Sequence, residues 1–354
     1  MRDRTLIPSL FDCVCFDKEY HEMNRHIMKK ILLLLVPVIV SMLLSCSGES
    51  IKVIRIPEAE NVQLSLEGEI SDLLAPRAMS VADGHLVVYE DKVVHPFLVF
   101  NLPFDGNYYR TTSRGRGPGE VINPYHGVVP TKDGFQILDN GDGTMKRFTF
   151  ERDTLSMTEV IDIPFKISPA GMVLPLGEGF IYNSSLYREF SKEWAGYDYH
   201  YIDPKTGDIT LMCPTPEWKD DVDESASVVL RTSTPAVRPD GSMFAVLYAF
   251  HNRVIIFDAQ GNVLKELSLP LEGVQDKFDS PVFYRWVVAF NDEMIVAQYG
   301  VNEYHFLDWN GRMKKRIVTD RKVVNPAFDF DTNTFYGLDL EEEVPRLYSA
   351  SIKF

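Results

Sequence analysis

A short phrase that recurs six times along the chain limits the possible folds more than any other feature. In each copy an acidic or small residue, often next to glycine, precedes an apolar run of strand length. Asp-Gly pairs of this kind make tight turns into strands, and such apolar runs are typical of buried strands. The copies lie at 82–89, 132–138, 177–182, 239–246, 291–297 and 331–337. A repeat of this length indicates an array of similar small sheets.

The segments between the copies support one arrangement of those sheets. A second apolar segment follows each copy, and in most copies a hairpin turn and a third strand come next. The spacing of the turn residues from Asp83 to Thr332 averages close to the length of a β-propeller blade. We therefore predict an all-β fold, a six-bladed β-propeller, in which the run behind each turn is the inner strand. The alternatives are a β-sandwich, which would show Greek-key spacing, and a flat solenoid, which would show shorter and more uniform repeats.

The last blade has too few strands of its own, so another part of the chain must close the ring. The chain ends after the second or third strand of that blade. Apolar segments at 51–56 and 62–66 precede the first full blade. We expect an N-terminal strand from this region to complete the last blade, because closure removes the exposed sheet edges of an open array.

The longest apolar stretch runs from Ile31 to Leu44, behind Met28-Lys29-Lys30. It is too short for a comfortable transmembrane helix, and a basic start followed by an apolar run matches a secretory signal. Leu43-Leu44-Ser45-Cys46 resembles the lipobox of bacterial lipoproteins, which makes Cys46 the expected lipidation site. The predicted segments are a disordered or wrongly assigned extension at 1–27, a lipoprotein signal peptide at 28–45, a tether at 46–50 and the propeller at 51–354.

The charge of the chain argues against nucleic acid as a partner, and its cysteine content argues against a disulfide bond. The chain has 36 Lys and Arg against 51 Asp and Glu, a formal net charge of -15, and it contains no basic run. Nucleic-acid binding requires cations that neutralise phosphates, so nucleic acid is excluded as a partner. Membrane contact is expected only through the lipid anchor. After processing only Cys46 and Cys213 remain, and Cys46 carries lipid, so no intrachain disulfide is expected.

The segment from Ser113 to Glu120, followed by Asn123-Pro124, resembles the Gly-rich phrase of the six-bladed, TolB-like propeller lipoproteins of Bacteroidetes. Its most specific part is Gly115–Glu120, and the blade phrases and the lipobox agree with the resemblance. The resemblance implies the propeller fold and a location in the cell envelope, and it implies no catalytic residue. The glycines of this loop either shape a crossover between two blades or belong to a loop that lines a ligand.

Charged and polar residues ahead of the predicted inner strands are candidates for a binding site. These segments would converge on one mouth of the channel, where several cations would favour an anionic ligand. The planar guanidinium of Arg suits carboxylates, although ion pairs between blades would explain the same residues. The candidates, with those of the Gly-rich loop, are Arg77, Arg114, Arg116, Glu120, His126, Arg231, Arg285 and Asn325. We expect at least three guanidinium groups among Arg77, Arg116, Arg231 and Arg285 to share one cleft.

No catalytic residue, metal site or cofactor is predicted. Nucleophile signatures such as Gly-x-Ser-x-Gly are absent, and the acidic loop 217–224 lacks the spacing of a calcium site. We predict a binding or scaffolding lipoprotein of the cell envelope, anchored in the outer membrane and facing the periplasm or the surface. Its partner would be an envelope protein or a glycan, and the cations favour an anionic one. The alternative is a lactonase or lyase that acts on an anionic sugar or lactone through a channel metal.

Overall fold

The computed structural model describes residues 51–131, 133–151, 154–163, 173–183, 196–215, 231–270 and 283–354. Within the unit 51–354, these residues form 26 β-strands in six sheets. The lipobox with Cys46 and the acidic loop 217–224 lie outside the described residues. The described residues contain no helix that could cross a membrane.

Three short strands precede the first blade, β1 (Lys52–Val53), β2 (Glu60–Val62) and β3 (Ser65–Glu69). Blades I, II and III follow in chain order, and the described strands of each make a four-stranded antiparallel sheet. Blade I has β4 to β7 (Pro76–Ala82, His85–Glu90, Phe97–Asn101, Tyr108–Thr111), blade II has β8 to β11 (Pro124–Thr131, Gly134–Asp139, Thr144–Glu151, Thr154–Asp162), and blade III has β12 to β15 (Val173–Leu176, Gly179–Asn183, Tyr197–Ile202, Ile209–Pro214).

The second half of the ring repeats this pattern with strands from the N-terminal segment added. Blade IV has β16 to β19 (Ser233–Val237, Met243–Tyr248, Val254–Asp258, Val263–Ser268), blade V has β20 to β23 (Tyr284–Phe290, Met294–Tyr299, Glu303–Asp308, Met313–Thr319), and blade VI has β24 to β26 (Val324–Asp329, Thr334–Asp339, Arg346–Ser351). Strand β1 pairs in parallel with β19 and strand β2 with β23, so each forms the outer edge of its blade.

The ring is closed by β3, which pairs antiparallel with β26 as the fourth strand of blade VI. Leu66 lies opposite Tyr348, and Ser65 lies opposite Ser349. The prediction that an N-terminal strand completes the last blade is confirmed. Since β1, β2 and β3 join three successive blades, the segment 51–69 ties blades IV, V and VI together.

The core of the propeller is divided among the contacts between blades. Six clusters of buried apolar residues occur among the described residues, and each lies between two successive blades. The cluster between blades VI and I, which contains Leu338 and Leu86, completes the circle. Because each sheet packs on both faces, a middle strand such as β9 is buried along its whole length. This burial explains the continuous apolar runs of the repeat.

One part of the sequence prediction is wrong, namely which strand of each blade is innermost. The apolar run behind each turn is the second strand, and β4, β8, β12, β16, β20 and β24 are the innermost strands. An innermost strand is the edge strand of its sheet, and one of its sides faces the channel. It therefore needs no continuous run of apolar side chains. It also tolerates proline, as at Pro76, Pro235 and Pro326. These properties hide the innermost strands in the sequence.

Candidate functional site

The six innermost strands surround a central cavity of about 490 Å³, and every blade contributes to its wall. This volume lies within the range of roughly 300–1,000 Å³ that is common for small-molecule sites. Each blade begins with its innermost strand and repeats the same antiparallel order. The first residues of these strands therefore meet at one end of the cavity, which we call the mouth.

Among the described residues that line the cavity, all charged ones are cations. Arg77 comes from blade I, Arg285 from blade V and Lys322 from the segment that leads into blade VI. No Asp or Glu is found among the described lining residues, although the chain contains 51 of these acids. Blades V, VI and I are neighbours in the ring, so the three cations form an arc along one side. We call Arg77, Arg285 and Lys322 the cationic arc.

The cations of the arc are weakly paired by the protein. The Nη2 atom of Arg77 lies 3.6 Å from Oδ2 of Asp91, and the side chain of Arg77 is 52% exposed. Arg285 and Lys322 are exposed, and no ion pair or side-chain hydrogen bond joins either of them to another described residue. Their donors are therefore available to a bound anion.

Irregular pairing of the innermost strands places the site residues. The register of β4 against β5 shifts between Pro76 and Ala78, and Arg77 lies at this shift. Arg285 lies at the equivalent shift in blade V, and Asn325 lies within a shift in blade VI. Asn325 has a φ of 47°, a left-handed conformation that Asn tolerates better than most residues. β-Bulges redirect side chains next to functional sites, and register shifts of the innermost strand occur here in blades V, VI and I and also in blade II.

The predicted site residues are brought together only in part. Arg77, Arg285 and Asn325 line the cavity, whereas Arg116 and Arg231 do not. Only two of the four arginines line this cavity, so the expectation that at least three of their guanidinium groups share one cleft is not met. His126 lies within a register shift of β8, between Tyr125 and Val129, and its side chain is outside the described part of the chain.

Arg114 holds the crossover from blade I to blade II. Its Nε donates to the carbonyl of Val93 and its Nη1 to the carbonyl of Ile122, both at 2.9 Å. A further ion pair joins it to Asp91 at 3.6 Å. Because these bonds occupy the guanidinium with main-chain oxygens, Arg114 has a structural role in the described crossover.

The glycines of the same loop accommodate Glu120. A carboxylate oxygen of Glu120 accepts a hydrogen bond from the amide of Gly117 at 2.6 Å. A Cβ added to Gly115 would lie 2.0 Å from Glu120 Oε2. The loop connects β7 to β8, as the crossover interpretation predicts, and its exposed Arg116 does not line the cavity.

Arg231 lies near a buried polar group between blades III and IV. Asp198 accepts hydrogen bonds from Thr215 Oγ1 at 2.8 Å and from the Tyr248 hydroxyl at 2.7 Å. Burial raises the pKa of Asp198, and the charge of Arg231 acts in the opposite direction. Arg231 precedes β16 and belongs to this group rather than to the wall of the cavity.

Lys322 and Trp286 also line the cavity, and the sequence analysis missed both. Lys322 lies two positions before β24, where only Asn325 had been considered. Trp286 follows Arg285 directly and is 49% exposed, so an aromatic surface lies beside a cation of the arc. The available signals were the Arg321-Lys322 pair ahead of the last repeat and the Arg285-Trp286 pair ahead of the fifth.

A larger hollow of about 770 Å³ near blades IV and V is a weaker candidate. Four of its five cations pair with acids of the protein. Lys315 pairs with Glu60 at 2.6 Å, and Lys314 pairs with Asp308 at 3.2 Å. This pairing explains the hollow as a salt-bridged surface, in contrast to the cationic arc.

The lining of the central cavity does not fit a metal ion. Divalent cations bind carboxylates, imidazoles or thiolates, and none of these side chains is found among the described lining residues. No group of three or more Asp, Glu, His or Cys side chains is placed to hold a metal anywhere in the described residues. The channel metal of the enzyme alternative therefore has no donor set in the described wall.

A buried Glu-His-Tyr series lies in blade V. His305 contacts Glu303 Oε1 through Nε2 at 2.6 Å and the Tyr284 hydroxyl through Nδ1 at 3.1 Å. Arg316 Nε also donates to Glu303 at 2.6 Å. Tyr284 and His305 are each 1% exposed, so no ligand reaches their polar atoms. The series links three side chains of blade V and thereby stabilises its fold.

This series predicts an acid-dependent loss of stability. Burial alone would raise the pKa of Glu303, but hydrogen bonds from His305 and Arg316 lower it from 4.5 to about 2. A carboxyl whose pKa is lowered by folding stabilises the protein fully above its unfolded value, and this contribution disappears as the pH falls toward the folded value. Between pH 4.5 and about 2, the Tm of the wild type should therefore fall more steeply than that of Glu303→Gln.

Thermal melts followed by circular dichroism over this pH range would test the prediction. The exposed Glu293 provides a matched control, and Glu293→Gln should follow the wild-type pH dependence. If Glu303→Gln also runs parallel to the wild type, Glu303 is not the group responsible.

Comparison with known proteins supports the fold. No protein-family model and no curated protein matches the sequence. A solved structure of a presumed exported protein from Bacteroides fragilis matches with a TM-score of 0.52 and 13% identity, over 86% of this chain and 99% of that one. A member of the DUF4221 family from Bacteroides vulgatus matches with a TM-score of 0.50 and 7% identity, over 81% and 97% of the two chains. These similarities and the described sheets establish a six-bladed β-propeller.

Proposed function

We propose that this protein is a non-enzymatic binding protein of the bacterial cell envelope whose channel mouth binds an anionic group of its ligand. The observation that carries the proposal is the composition of the cavity wall. Three cations line it without any described carboxylate, in a chain with a net charge of -15. A random distribution of side chains in so acidic a protein would place acids in this wall, so the local excess of cations is a specific feature.

The physical effect of this arrangement is a positive potential inside a cleft. Low-dielectric walls concentrate the field of the cationic arc and raise the local concentration of anions. Arg77 and Arg285 offer planar donor pairs that match a carboxylate or sulfonate, and Lys322 adds a point charge. The arrangement suits the binding of an acidic group, and the described wall contains no carboxylate, imidazole or thiol side chain that would act as a general base.

Export and lipid attachment complete the proposal. The signal at 28–45, the lipobox at Cys46 and the resemblance to TolB-like propeller lipoproteins support a lipid-anchored protein of the outer membrane. The structurally similar Bacteroides fragilis protein is itself presumed to be exported, which agrees with this location. The natural partner is then an acidic component of the envelope, either a small molecule or an acidic group on a protein or a glycan.

Lipid attachment predicts a clear result for Cys46→Ser. Since the thiol of Cys46 is the only acylation site in the lipobox, this variant should lose incorporation of labelled palmitate and leave the membrane fraction. Labelling of the wild type and of Cys213→Ser in the same cells provides the comparison. Unchanged membrane attachment of Cys46→Ser would contradict the anchor.

Anion binding can be tested with two fluorescent probes that share one aromatic body. Residues 51–354 contain all described strands and all six core clusters, so this fragment is suitable. Anilinonaphthalene sulfonate carries a negative charge, and N-phenylnaphthylamine lacks it. The sulfonate should bind more tightly, and its affinity should fall as the salt concentration rises from about 50 mM to about 500 mM, because salt screens the arc. Equal binding of the two probes without salt dependence would contradict the proposed function.

A further inference from the structure

The charged residues of the described cavity wall are confined to one side of the channel, whereas apolar residues line all of it. The cationic arc belongs to blades V, VI and I, whereas blades II, III and IV contribute uncharged residues to the described wall. Among these are Val129 of blade II and Leu174 of blade III. An anion held at the arc therefore has an apolar surface across the channel from it.

The apolar lining residues of β20 and β8 lie farther from the mouth than Arg285 does. Arg285 is the second residue of β20, and Val288, Ala289 and Phe290 follow it along the same strand toward the far end of the cavity. On β8, the lining residues Val128, Val129 and Pro130 lie near the end of the strand. Blades II and V face each other across a six-membered ring, so Val129 and Val288 lie on opposite walls. A ligand with its acidic group at the mouth would place the rest of its body between these walls.

Uncharged polar side chains are too few to satisfy a ligand with many hydroxyl groups. In the described wall they are limited to Ser80, Thr234, Gln298 and Asn325. A sugar acid of similar size would leave hydroxyl groups without partners against valine, leucine and proline, at a cost in binding energy. An aliphatic chain loses no hydrogen bond there and gains from the removal of its methylene groups from water.

We infer that the channel binds an amphipathic monoanion, an aliphatic chain that ends in one carboxylate. The carboxylate lies at the cationic arc, and the chain extends between Val129 and Val288. This inference rests on the proposed anion binding and adds the class of ligand. The cavity of about 490 Å³ has a volume suitable for such a molecule.

The inference predicts how affinity depends on chain length. Calorimetric titration of residues 51–354 with butyrate, hexanoate, octanoate and decanoate, each below its micelle concentration, should show a steady increase in affinity. Burial of each methylene should strengthen binding by up to about fourfold until the chain fills the cavity. Decanol should bind at least about tenfold more weakly than decanoate, because it lacks the charge. Glucuronate, a polar monoanion, should bind no better than butyrate.

Variants of the wall separate the two ends of the ligand. Val129→Asn and Val288→Asn each place an amide on the apolar wall, so they should weaken decanoate binding by about tenfold and leave butyrate binding unchanged. Threonine has nearly the shape of valine, so Val288→Thr tests the same wall if Val288→Asn does not fold. Val263→Asn is a matched control, because Val263 is exposed on β19 outside the cavity.

Each outcome distinguishes the inference from the proposed function. If butyrate, glucuronate and decanoate bind equally and binding weakens with salt, anion binding stands and the aliphatic ligand class is wrong. If decanol binds as tightly as decanoate, the carboxylate does not contribute to binding, and both the inference and the proposed function are wrong. If none of these compounds binds, the inferred ligand class is wrong, and the result with the sulfonate probe then decides the proposed function separately.

Discussion

Removal of the N-terminal strands should destabilise the whole propeller. A fragment that starts at Ile70 lacks β1, β2 and β3, which leaves β26 as an open sheet edge. It also lacks Val62 and Leu64, which belong to the core cluster between blades V and VI. A loss of several kcal/mol lowers the Tm of a domain of this size by at least about 10 °C, and we expect a change of that order.

A truncation series measures the contribution of each N-terminal strand. A fragment that starts at Ile54 loses only β1, a two-residue addition to blade IV, and should melt within a few degrees of residues 51–354. Circular dichroism melts would show the stability, and hydrogen exchange should show loss of protection in β26 of the shortest fragment. If residues 70–354 melt like residues 51–354, the ring does not depend on β3 for closure.

Charge reversal in the cationic arc should have the largest effect on binding. Each charge-assisted hydrogen bond contributes about 1.5–3 kcal/mol, and the exposure of Arg285 and Lys322 favours the lower value. Arg285→Glu with Lys322→Glu removes two attractive charges and adds two repulsive ones. We expect this double variant to bind anilinonaphthalene sulfonate at least about 100-fold more weakly than the wild type.

The same variant should keep its fold. No described residue forms an ion pair with either exposed cation, so their reversal breaks no ion pair of the described structure, and the Tm should change by less than about 2 °C. Arg312→Glu is a suitable control, because Arg312 is exposed at the turn between β22 and β23, outside the cavity. Unchanged binding by the double variant would exclude the cationic arc as the site.

The number of blades and the closure of the ring could be predicted because both depend on local patterns. The Asp-Gly turns and the runs buried on both faces recur in the sequence, and the unpaired N-terminal segment indicated how the last blade is completed. The position of the innermost strands could not be predicted in the same way. Strands such as β4 combine proline with partly exposed positions, since one of their sides faces the channel.

The spacing within the repeat explains which of the candidate residues line the cavity. Arg77, Arg285 and Asn325 precede the turn residues Asp83, Asp292 and Thr332 by six or seven positions. Six positions before Asp240 the chain has Thr234, which lines the cavity, whereas Arg231 lies three residues earlier and does not.

Other site residues have no signal in the repeat. Lys322 lies outside the repeated position, so the spacing could not identify it. The role of Arg114 depends on main-chain carbonyls from Val93 and Ile122. Such contacts are formed by the three-dimensional arrangement of a crossover, and the sequence contains no pattern that reveals them.

A crystal structure of residues 51–354 with bromine-terminated decanoate would test the central claim most directly. Anomalous scattering locates the bromine atom at one end of the chain, and the electron density locates the carboxylate at the other. We expect the carboxylate within about 3 Å of a side-chain nitrogen of Arg77, Arg285 or Lys322, and the bromine between Val129 and Val288. A carboxylate bound away from the cationic arc, or an empty channel at saturating ligand, would contradict the account.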